Sequence, residues 1–535
     1  MRGFKDGQRD QRRDSRGQGF LEYMVVLALI AVVVIAAVPH IKAALTSNAA
    51  NAQAGMSYTG GAGAGTGAPW NVAVTYPLGA VVEYVGVTYT ATTTVPSGAG
   101  YTPGTTADWS PYSVPGPAGT TANTVWGQDG LLNCGQYDNS DNGFCGNGGL
   151  VKAANLGYVP YGVVVDSSGD VYISDAGNKR VLYFAAGSTT ATRVYGQDGQ
   201  DFTCGVGDNT GSGCTAGTTP SATNFSEPTG LALDGSGNLY VADFGNNRVL
   251  EFPAGNTTAS KVYGQSGSFT CGVVDNTGSG CTSSTNATAA NLFQPSGVAV
   301  DSSGNVYIAD QYDNRILEYT GGSTTAHAVY GQIGYFTAGA CCYNDVGLGQ
   351  GTPKNYNMWR PTDVALDSSN NLYFTDAENS RVMEFPAGNG CTGPGVPSNC
   401  STANKVWGQD GQDFTCGAAD NTGSSCTAGS SPSATDMNYP NSLAVDSHGN
   451  IYVSDLNNYR VLYYASGSTT ATAVYGQNSL YTCGVIDNTG SGCTAGSTPS
   501  ATNLEEWPEG IAVDSSNDLY IVDSYNNRVL EYPHS

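Results

Sequence analysis

Six pairs of oppositely charged residues recur along the chain, each an aspartate followed five residues later by an arginine. Such a pair could serve catalysis, but a catalytic site is not needed six times. The rigid guanidinium fork can satisfy several acceptors at once, which suits a buried bridge between strands or between repeats. We therefore predict a structural role for Asp175/Arg180, Asp243/Arg248, Asp310/Arg315, Asp376/Arg381, Asp455/Arg460 and Asp523/Arg528.

The fourteen cysteines form a second set of reactive side chains. Their even number, their short spacing and the lack of accompanying histidines favour disulfides in an oxidising exterior over zinc ligands. Cys341 and Cys342 are adjacent, so they either form a vicinal disulfide or remain thiols. The predicted local disulfides are Cys134/Cys145, Cys204/Cys214, Cys271/Cys281, Cys391/Cys400, Cys416/Cys426 and Cys483/Cys493.

Other side chains that could bind a ligand are scattered. The histidines are His40, His327, His448 and His534, and they do not cluster in the sequence. We expect no catalytic residue, no cofactor and no bound metal. Four loops carry DNTGSGC or a near copy, beginning at Asp208, Asp275, Asp420 and Asp487. Calcium binding is an alternative for these loops. One carboxylate with Asn, Thr and Ser gives few hard oxygen ligands, however, and this favours a disulfide-capped turn. Candidate N-glycosylation sequons begin at Asn224, Asn256, Asn286 and Asn399.

The charged pairs lie within a repeat that extends over residues 124 to 535. The phrase GVVVDSSGDVYISDAGNKRVLYF starts at Gly162 and recurs five times, with intervals of 66 to 68 residues and one of 79. Each copy contains three short alternating segments, and a fourth segment with Tyr or Trp, Gly and Gln follows. Six repeats, each with four antiparallel strands, predict a mainly β fold. The predicted architecture is a six-bladed β-propeller.

The recurring GN, Tyr, Asp and NNR elements resemble NHL repeats over residues 124 to 532, and this resemblance implies an NHL-type propeller. A VWGQ segment at residues 125 to 128 stands alone ahead of the first copy, while the sixth copy ends at Pro533 without one. We therefore predict that the early strand completes the last blade and closes the ring.

The N-terminal region is predicted to form one long hydrophobic α-helix at residues 18 to 46. Its only ionisable residue up to position 38 is Glu22, and the preceding residues 1 to 17 have an excess of positive charge, which favours cytoplasmic retention. Arg16, Gly17 and Gln18 followed by Glu22 and Tyr23 resemble the class III signal peptide of type IV pilins. The resemblance implies cleavage by prepilin peptidase between Gly17 and Gln18, with the helix kept.

In that interpretation the mature amino group of Gln18 in a neighbouring subunit pairs with Glu22, because an unpaired carboxylate is costly in an apolar bundle. This pair would fix the register between subunits. The alternative is a type II membrane anchor with Glu22 among the lipid headgroups.

A small β module at residues 69 to 112 lies between flexible linkers at residues 47 to 68 and 113 to 123. Its alternating residues predict three strands. The order of its aromatic residues and glycines resembles family 5/12 carbohydrate-binding (chitin-binding) modules, which implies glycan contact through Trp70, Tyr84, Tyr89 and Trp109. The alternative is that Trp70 and Trp109 form the core of the module.

The formal net charge of −24 makes nucleic acid and anionic membranes improbable partners. We expect a structural subunit of an extracellular type IV pilus-like filament, with self-associating helices in the filament core and propellers outside. It would lie in the cytoplasmic membrane before the pilus assembly machinery acts. The alternative is a minor pilin or membrane-anchored surface adhesin that binds a glycan or protein through the propeller face and the small aromatic module, and an enzyme is disfavoured.

Overall fold

The computed structural model describes residues 119 to 534, apart from some loop segments, and the backbone of four short strands between residues 68 and 111. The loop segments that it does not describe are residues 129–130, 135, 138–150, 198–200, 210–212, 277, 279, 285, 332–335, 338–352, 393–401, 410–412, 422–425, 430 and 489–491. The chain divides into two compact units, with a boundary between Tyr112 and Ser113.

The first unit contains a four-stranded sheet in the order β1-β2-β3-β4. Its strands are β1 (Ala68–Pro69), β2 (Val81–Tyr84), β3 (Val87–Ala91) and β4 (Trp109–Pro111). The prediction of three strands is wrong by one, because the two-residue strand β1 pairs in parallel with β2. Two residues form too short an alternating pattern to be recognised in a sequence.

The second unit contains six four-stranded sheets, which are the blades of a six-bladed propeller. Neighbouring strands of each blade pair antiparallel, and they follow chain order in blades 1 to 5. Blade 1 has β6 (Val163–Val165), β7 (Val171–Asp175), β8 (Arg180–Phe184) and β9 (Arg193–Tyr195). Blade 2 has β10 (Pro228–Leu233), β11 (Leu239–Asp243), β12 (Arg248–Phe252) and β13 (Lys261–Gly264). Blade 3 has β14 (Pro295–Val300), β15 (Val306–Asp310), β16 (Arg315–Tyr319) and β17 (Ala328–Gly331).

The remaining blades repeat this arrangement. Blade 4 has β18 (Pro361–Leu366), β19 (Leu372–Asp376), β20 (Arg381–Phe385) and β21 (Lys405–Trp407). Blade 5 has β22 (Pro440–Val445), β23 (Ile451–Asp455), β24 (Arg460–Tyr464) and β25 (Ala473–Tyr475). Blade 6 has β26 (Pro508–Val513), β27 (Leu519–Asp523), β28 (Arg528–Tyr532) and, from the start of the domain, β5 (Thr124–Trp126).

The closing strand was predicted correctly. Strand β5 pairs antiparallel with β28, and Val125 lies opposite Leu530. The backbone N–H of Gly119 donates to the carbonyl of Pro533 at 2.7 Å, so the pairing continues beyond the strand. Closure gives the last blade its fourth strand and covers the edge of β28, which would otherwise be open to aggregation.

Short 3₁₀ turns connect the second and third strands of blades 1 to 5, and each is followed by a residue in the left-handed conformation. These turns are Ala176–Asn178, Phe244–Asn246, Gln311–Asp313, Ala377–Asn379 and Leu456–Asn458. A further 3₁₀ turn, Gln265–Gly267, follows β13. The tight connections bring all of these turns to the same end of the blades, where each inner strand begins.

The core lies between adjacent blades. One apolar cluster joins Tyr240 and Val249 of blade 2 to Ile308 and Leu317 of blade 3, and the other clusters combine neighbouring blades in the same way. The inner strands β6, β10, β14, β18, β22 and β26 surround a central channel. Their hydroxyl groups link the blades: Thr229 donates to the Ser296 carbonyl at 3.1 Å, and Ser296 donates to the Thr362 carbonyl at 2.6 Å.

Disulfides lie within the loops that connect successive blades, as predicted. The structure contains Cys204–Cys214, Cys271–Cys281, Cys416–Cys426 and Cys483–Cys493. Cys134 and Cys391 are also disulfide-bonded. The partners predicted for them, Cys145 and Cys400, and the adjacent pair Cys341 and Cys342, lie outside the described residues.

Several other predictions concern residues that the structure does not describe. They are the leader, the helix at residues 18 to 46 with its processing and assembly residues Gly17, Gln18 and Glu22, and also Trp70 and Asn399. Tyr84, Tyr89 and Trp109 lie on β2, β3 and β4. Within the described part of the chain, no helix has the length and apolarity needed to cross a membrane.

Candidate functional site

The six Asp/Arg pairs are scaffold bridges. In each pair the Arg and Asp side chains have no exposed surface, and the closest nitrogen-to-oxygen distances are 2.7 to 2.9 Å. In blade 2, Arg248 also donates to the carbonyls of Phe269 and Asn224 at 2.6 and 2.9 Å. Asp243 accepts the backbone N–H of Ser226 at 2.9 Å. The pair therefore ties the hairpin to the disulfide loop and to the segment that enters the blade.

The predicted capped turns are also structural. Asp208 accepts a hydrogen bond from Asn246 at 2.9 Å, and Asp420 accepts one from Asn458 at 2.8 Å. These contacts anchor each disulfide loop to the 3₁₀ turn of the following blade. No group of three or more metal-ligating side chains occurs among the described residues.

Blade 3 departs from this pattern. The asparagine that ends the 3₁₀ turn elsewhere is replaced by Asp313, whose Oδ2 lies 3.2 Å from Arg315 Nη2. Asp275 of the disulfide loop therefore faces a carboxyl group and not an amide. Burial, followed by the charge of Asp313, raises the pKa of Asp275 to about 7. Burial also raises the pKa of the adjacent Asp310 well above its usual value.

The sequons differ in accessibility. Asn224 is buried, and its Oδ1 accepts the backbone N–H of Ser221 at 2.8 Å. This position is therefore closed to a glycan in the folded propeller, contrary to the sequence-based candidate. Asn256 and Asn286 are exposed. A buried amide that organises a loop cannot be distinguished from an accessible one by the sequon alone.

One end of the channel contains the candidate site, which we call the channel mouth. Around it lie the residues that immediately precede the proline at, or just before, the start of each inner strand, and four of these residues, Glu227, Arg360, Tyr439 and Trp507, line the cavity that forms the site. All six blades use this position, and all six side chains differ, whereas the scaffold positions repeat. The six residues are Val159, Glu227, Gln294, Arg360, Tyr439 and Trp507.

Five of these six residues have a left-handed backbone. Their φ values lie between 51° and 64° in Val159, Gln294, Arg360, Tyr439 and Trp507. Glycine adopts this conformation without a steric penalty, whereas β-branched and bulky residues are strained in it. Strained residues of this kind cluster at functional sites. The channel mouth therefore retains large side chains where glycine would fit the backbone better.

A cavity of about 350 Å³ lies at the channel mouth. Its aromatic lining comes from Trp507, Tyr439, Phe244 and Tyr161, contributed by four different blades. Its polar lining includes Glu227, Gln311, Arg360, Asn441 and Glu509. Apolar walls with a few convergent polar groups are typical of small-molecule sites.

Arg360 is held rigidly at the rim of this cavity. Its guanidinium donates to Glu378 Oε1 at 3.0 Å and to the hydroxyl of Tyr312 at 2.7 Å. The same group lies over the Tyr312 ring, 4.6 Å from the centroid. Because Glu378 balances its charge, Arg360 offers hydrogen-bond donors in a locally neutral arrangement.

Deeper in the channel, the walls of blades 1, 5 and 6 carry a hydrogen-bonded polar group. Asn441 Nδ2 donates to Glu509 Oε2 at 2.6 Å and lies 3.4 Å from the hydroxyl of Tyr161. Burial raises the pKa of Glu509 to about 8. Its carboxyl group is therefore mostly protonated at neutral pH, and it can donate as well as accept a hydrogen bond.

Two further channel positions depart from the repeat. Four blades have glycine two residues after the proline, but blade 4 has Asp363 and blade 5 has Ser442. Ser442 donates to Asp363 Oδ2 at 2.7 Å. Burial raises the pKa of Asp363 to about 6. The two replacements therefore form a hydrogen bond between adjacent blades 4 and 5.

A row of aromatic rings leads away from the cavity, and we call it the aromatic ladder. Trp507 contacts Tyr525 at a centroid distance of 4.9 Å, Tyr525 contacts Tyr158 at 5.7 Å, and Tyr158 contacts Tyr137 at 6.3 Å. Trp507, Tyr158 and Tyr137 are the exposed large hydrophobic residues of the described chain, with 37, 53 and 45% of their surfaces accessible. All three are amphipathic aromatics, and they lie together.

The sequence analysis did not identify the channel mouth or the aromatic ladder. Comparing the repeats reveals the residues that they share, whereas this site consists of positions at which the repeats differ. The usable signal was the residue before each proline, together with the replacement of glycine by Asp363 and Ser442. The described histidines, His327, His448 and His534, do not line the channel cavities.

The family comparison agrees with the blade structure. The NHL repeat model matches residues 158–184, 225–252, 294–319, 437–463 and 506–532, which lie in five of the six blades. Five of the six blades contain NHL repeats. Blade 4 is not among the matched segments, and its four strands pair in the same order as those of the matched blades. No curated protein matches this chain significantly in sequence.

Several solved structures are similar to this chain at low sequence identity. A streptogramin B lyase is 11% identical, with a TM-score of 0.36 over 71% of this chain and 95% of the lyase. A structural genomics protein of unknown function from Bacteroides thetaiotaomicron is 14% identical, with a TM-score of 0.43 over 87% of this chain and 83% of that protein. Hydrazine synthase of Kuenenia stuttgartiensis is 12% identical, with a TM-score of 0.38 over 74% of this chain and 99% of the synthase.

Proposed function

We propose that this protein is a non-catalytic structural subunit of an extracellular type IV pilus-like filament. The observation that carries the proposal is the sequence of residues 16 to 38, in which Arg-Gly-Gln precedes a long apolar segment whose single ionisable residue is Glu22. Such a segment, if cut after Gly17, gives a helix that associates with its copies through apolar packing and one charge pair.

The propeller supports the proposal as the outer part of such a subunit. Its ring is closed by its own β5 strand, and its blade-connecting loops carry disulfides. Disulfides of this kind persist in oxidising surroundings, which suits an extracellular location. The repeated Asp and Arg residues are committed to the scaffold, so they are not available for catalysis.

Sheared surface filaments examined by electron microscopy and mass spectrometry test this proposal. The protein should be an abundant component of the filaments, and N-terminal sequencing should find Gln18 as the first residue. An intact Met1, or a cut beyond residue 44, would refute the pilin-type processing. Recovery only from the membrane fraction would refute the filament role.

The alternative is a minor pilin or a membrane-anchored adhesin. The observation that favours it is the channel mouth, because strained and diverse side chains around a cavity are not needed by a purely structural head. Copy number distinguishes the two functions. A filament subunit is the major component of the sheared fraction, whereas an adhesin is present in a few copies or at the tip.

A further inference from the structure

We propose that the channel mouth and the aromatic ladder together form a binding site for an uncharged oligosaccharide, with one sugar in the cavity and further sugars along the exposed rings. The inference stands independently of the filament proposal, since it concerns the propeller alone. It rests on the arrangement of aromatic and polar groups and on the charge around them.

The aromatic residues suit pyranose rings. The face of an aromatic ring is electronegative, and the C–H groups of a sugar face are weakly positive, so the two surfaces attract while both remain partly apolar. Trp507 belongs to both the cavity lining and the ladder, and therefore connects them. From Trp507 the ladder continues through Tyr525 and Tyr158 to Tyr137 with successive centroid distances of 4.9, 5.7 and 6.3 Å. This series is long enough to contact more than one sugar.

The polar groups of the cavity suit hydroxyl groups. A sugar hydroxyl both donates and accepts hydrogen bonds, so it is best met by side chains that do the same. Asn441 and Gln311 have amide groups with both functions, and Glu509 is buried beside Asn441 at a hydrogen-bond distance of 2.6 Å. Arg360 adds a fixed donor at the rim.

The charge of the site excludes acidic ligands. Glu227 lines the cavity, and Arg360 is already paired with Glu378. The protein as a whole has a formal net charge of −24. Sulfated or uronic acid-rich polymers would be repelled by this field, whereas a neutral oligosaccharide is unaffected.

The backbone geometry permits a sharp test of this site. Trp507 has φ +64°, so replacement by glycine relieves strain while removing the ring. Gln294 occupies the equivalent position in blade 3, with φ +51°, and does not line the cavity. Gln294→Gly is therefore a matched control that makes the same backbone change outside the proposed site.

The experiment measures oligosaccharide binding by calorimetry on the full-length chain in a detergent without a sugar headgroup. The probes are chitohexaose, cellohexaose, maltohexaose and mannohexaose. At least one should bind the wild type, and Trp507→Gly should weaken that binding about tenfold or more, whereas Gln294→Gly should leave it unchanged. Trp507→Tyr should restore most of the affinity because it restores a ring.

The length of the bound sugar provides a second readout. Tyr158 is exposed, so Tyr158→Ser should fold normally. It should reduce the affinity advantage of the hexaose over the corresponding disaccharide, since only the longer sugar reaches the ladder. A double variant, Trp70→Ala with Trp109→Ala, tests whether the small β module binds the same probe.

Three results would overturn the inference. The first is no binding of any hexaose by the wild type at about 5 mM. The second is binding that survives Trp507→Gly but is lost in the Trp70→Ala and Trp109→Ala variant, which would locate the sugar on the small module. The third is an equal loss in Trp507→Gly and Gln294→Gly, which would show a general loosening of the propeller.

Discussion

Replacing Asp313 by asparagine should stabilise blade 3 at pH 8 and have little effect at pH 4. The substitution restores the amide that other blades use to hold the disulfide loop, as Asn246 does with Asp208 at 2.9 Å. In the wild type, Asp275 faces Asp313 within a group that also contains Asp310 and Arg315. One positive charge balances three buried carboxyl groups, so ionisation of all three is unfavourable.

The sign of the effect follows from the raised pKa of Asp275, which is about 7 in the folded protein. A carboxyl group in an unfolded chain has a pKa of about 4, so the unfolded state releases this proton first as the pH rises. Below about pH 4 this carboxyl group is protonated in both states and does not lower the free energy of unfolding. The free energy of unfolding then falls progressively between about pH 4 and 7. Above that range the loss is complete and constant.

The pKa of Asp275 also sets an upper limit on this loss of stability. A rise of about three pKa units corresponds to about 4 kcal/mol at most. Burial is the larger cause and remains in Asp313→Asn, so we assign to Asp313 about 1 to 2 kcal/mol of the total. If the disulfide loop opens locally, this difference changes the opening equilibrium about 5- to 30-fold.

Amide hydrogen exchange of residues 265 to 281, corrected for intrinsic rates, measures this opening at pH 5 and at pH 8. Protection should fall between the two pH values in the wild type, and the fall should be much smaller in Asp313→Asn. Asn246→Asp is the matched control, since it creates the same carboxyl pair in blade 2 and should introduce the pH dependence there. An identical pH profile in the wild type and Asp313→Asn would refute the reasoning.

Three further predictions concern closure, disulfides and assembly. Removing residues 1 to 118 should leave a folded, soluble propeller, whereas removing residues 1 to 128 should lower its melting temperature strongly or cause aggregation, because strand β5 is lost; equal melting would exclude closure by β5. Reduction should lower the stability by about 2 to 3 kcal/mol per disulfide that closes a loop of about ten residues, as measured by denaturant titration, with unchanged strand content by circular dichroism; unchanged melting would contradict the role of these disulfides. Glu22→Ala should permit cleavage after Gly17 and folding but impair filament formation, as seen by microscopy, and normal filaments would disprove the Glu22 charge pair.

The recurring parts of the fold could be predicted from the sequence because they are enforced by the same local rules in each blade. Alternating apolar residues, turns and the Asp/Arg pairs defined four strands per blade, and the leftover strand at the start of the domain defined the closure. The disulfides followed from cysteine spacing, since a loop of that length brings its ends together. Apart from the closure, which joins the two ends of the domain, these features depend on contacts within one blade or its connecting loop.

The candidate site depends on contacts that the sequence does not display. Arg360, Tyr439 and Trp507 are 68 or more residues apart from one another, and only the ring symmetry brings them around one cavity. Their left-handed backbone is also invisible in the sequence, because bulky residues do not favour it. The burial of Asn224 and the pairing of the two-residue strand β1 were missed for similar reasons, since each is decided by tertiary contacts.

The closing strand also determines how the head responds to mechanical force. The first described residues of the propeller are bonded to its last ones, through Gly119 to Pro533, Asn123 to Glu531 and the pairs of strand β5 with β28. A pull on the chain ahead of Gly119 along the strand loads these hydrogen bonds in shear, so they share the tension. The same pull directed across the strand would break them one at a time, as in a zipper. A head tethered through this segment is therefore strongest when the tension runs parallel to the outer strand of blade 6.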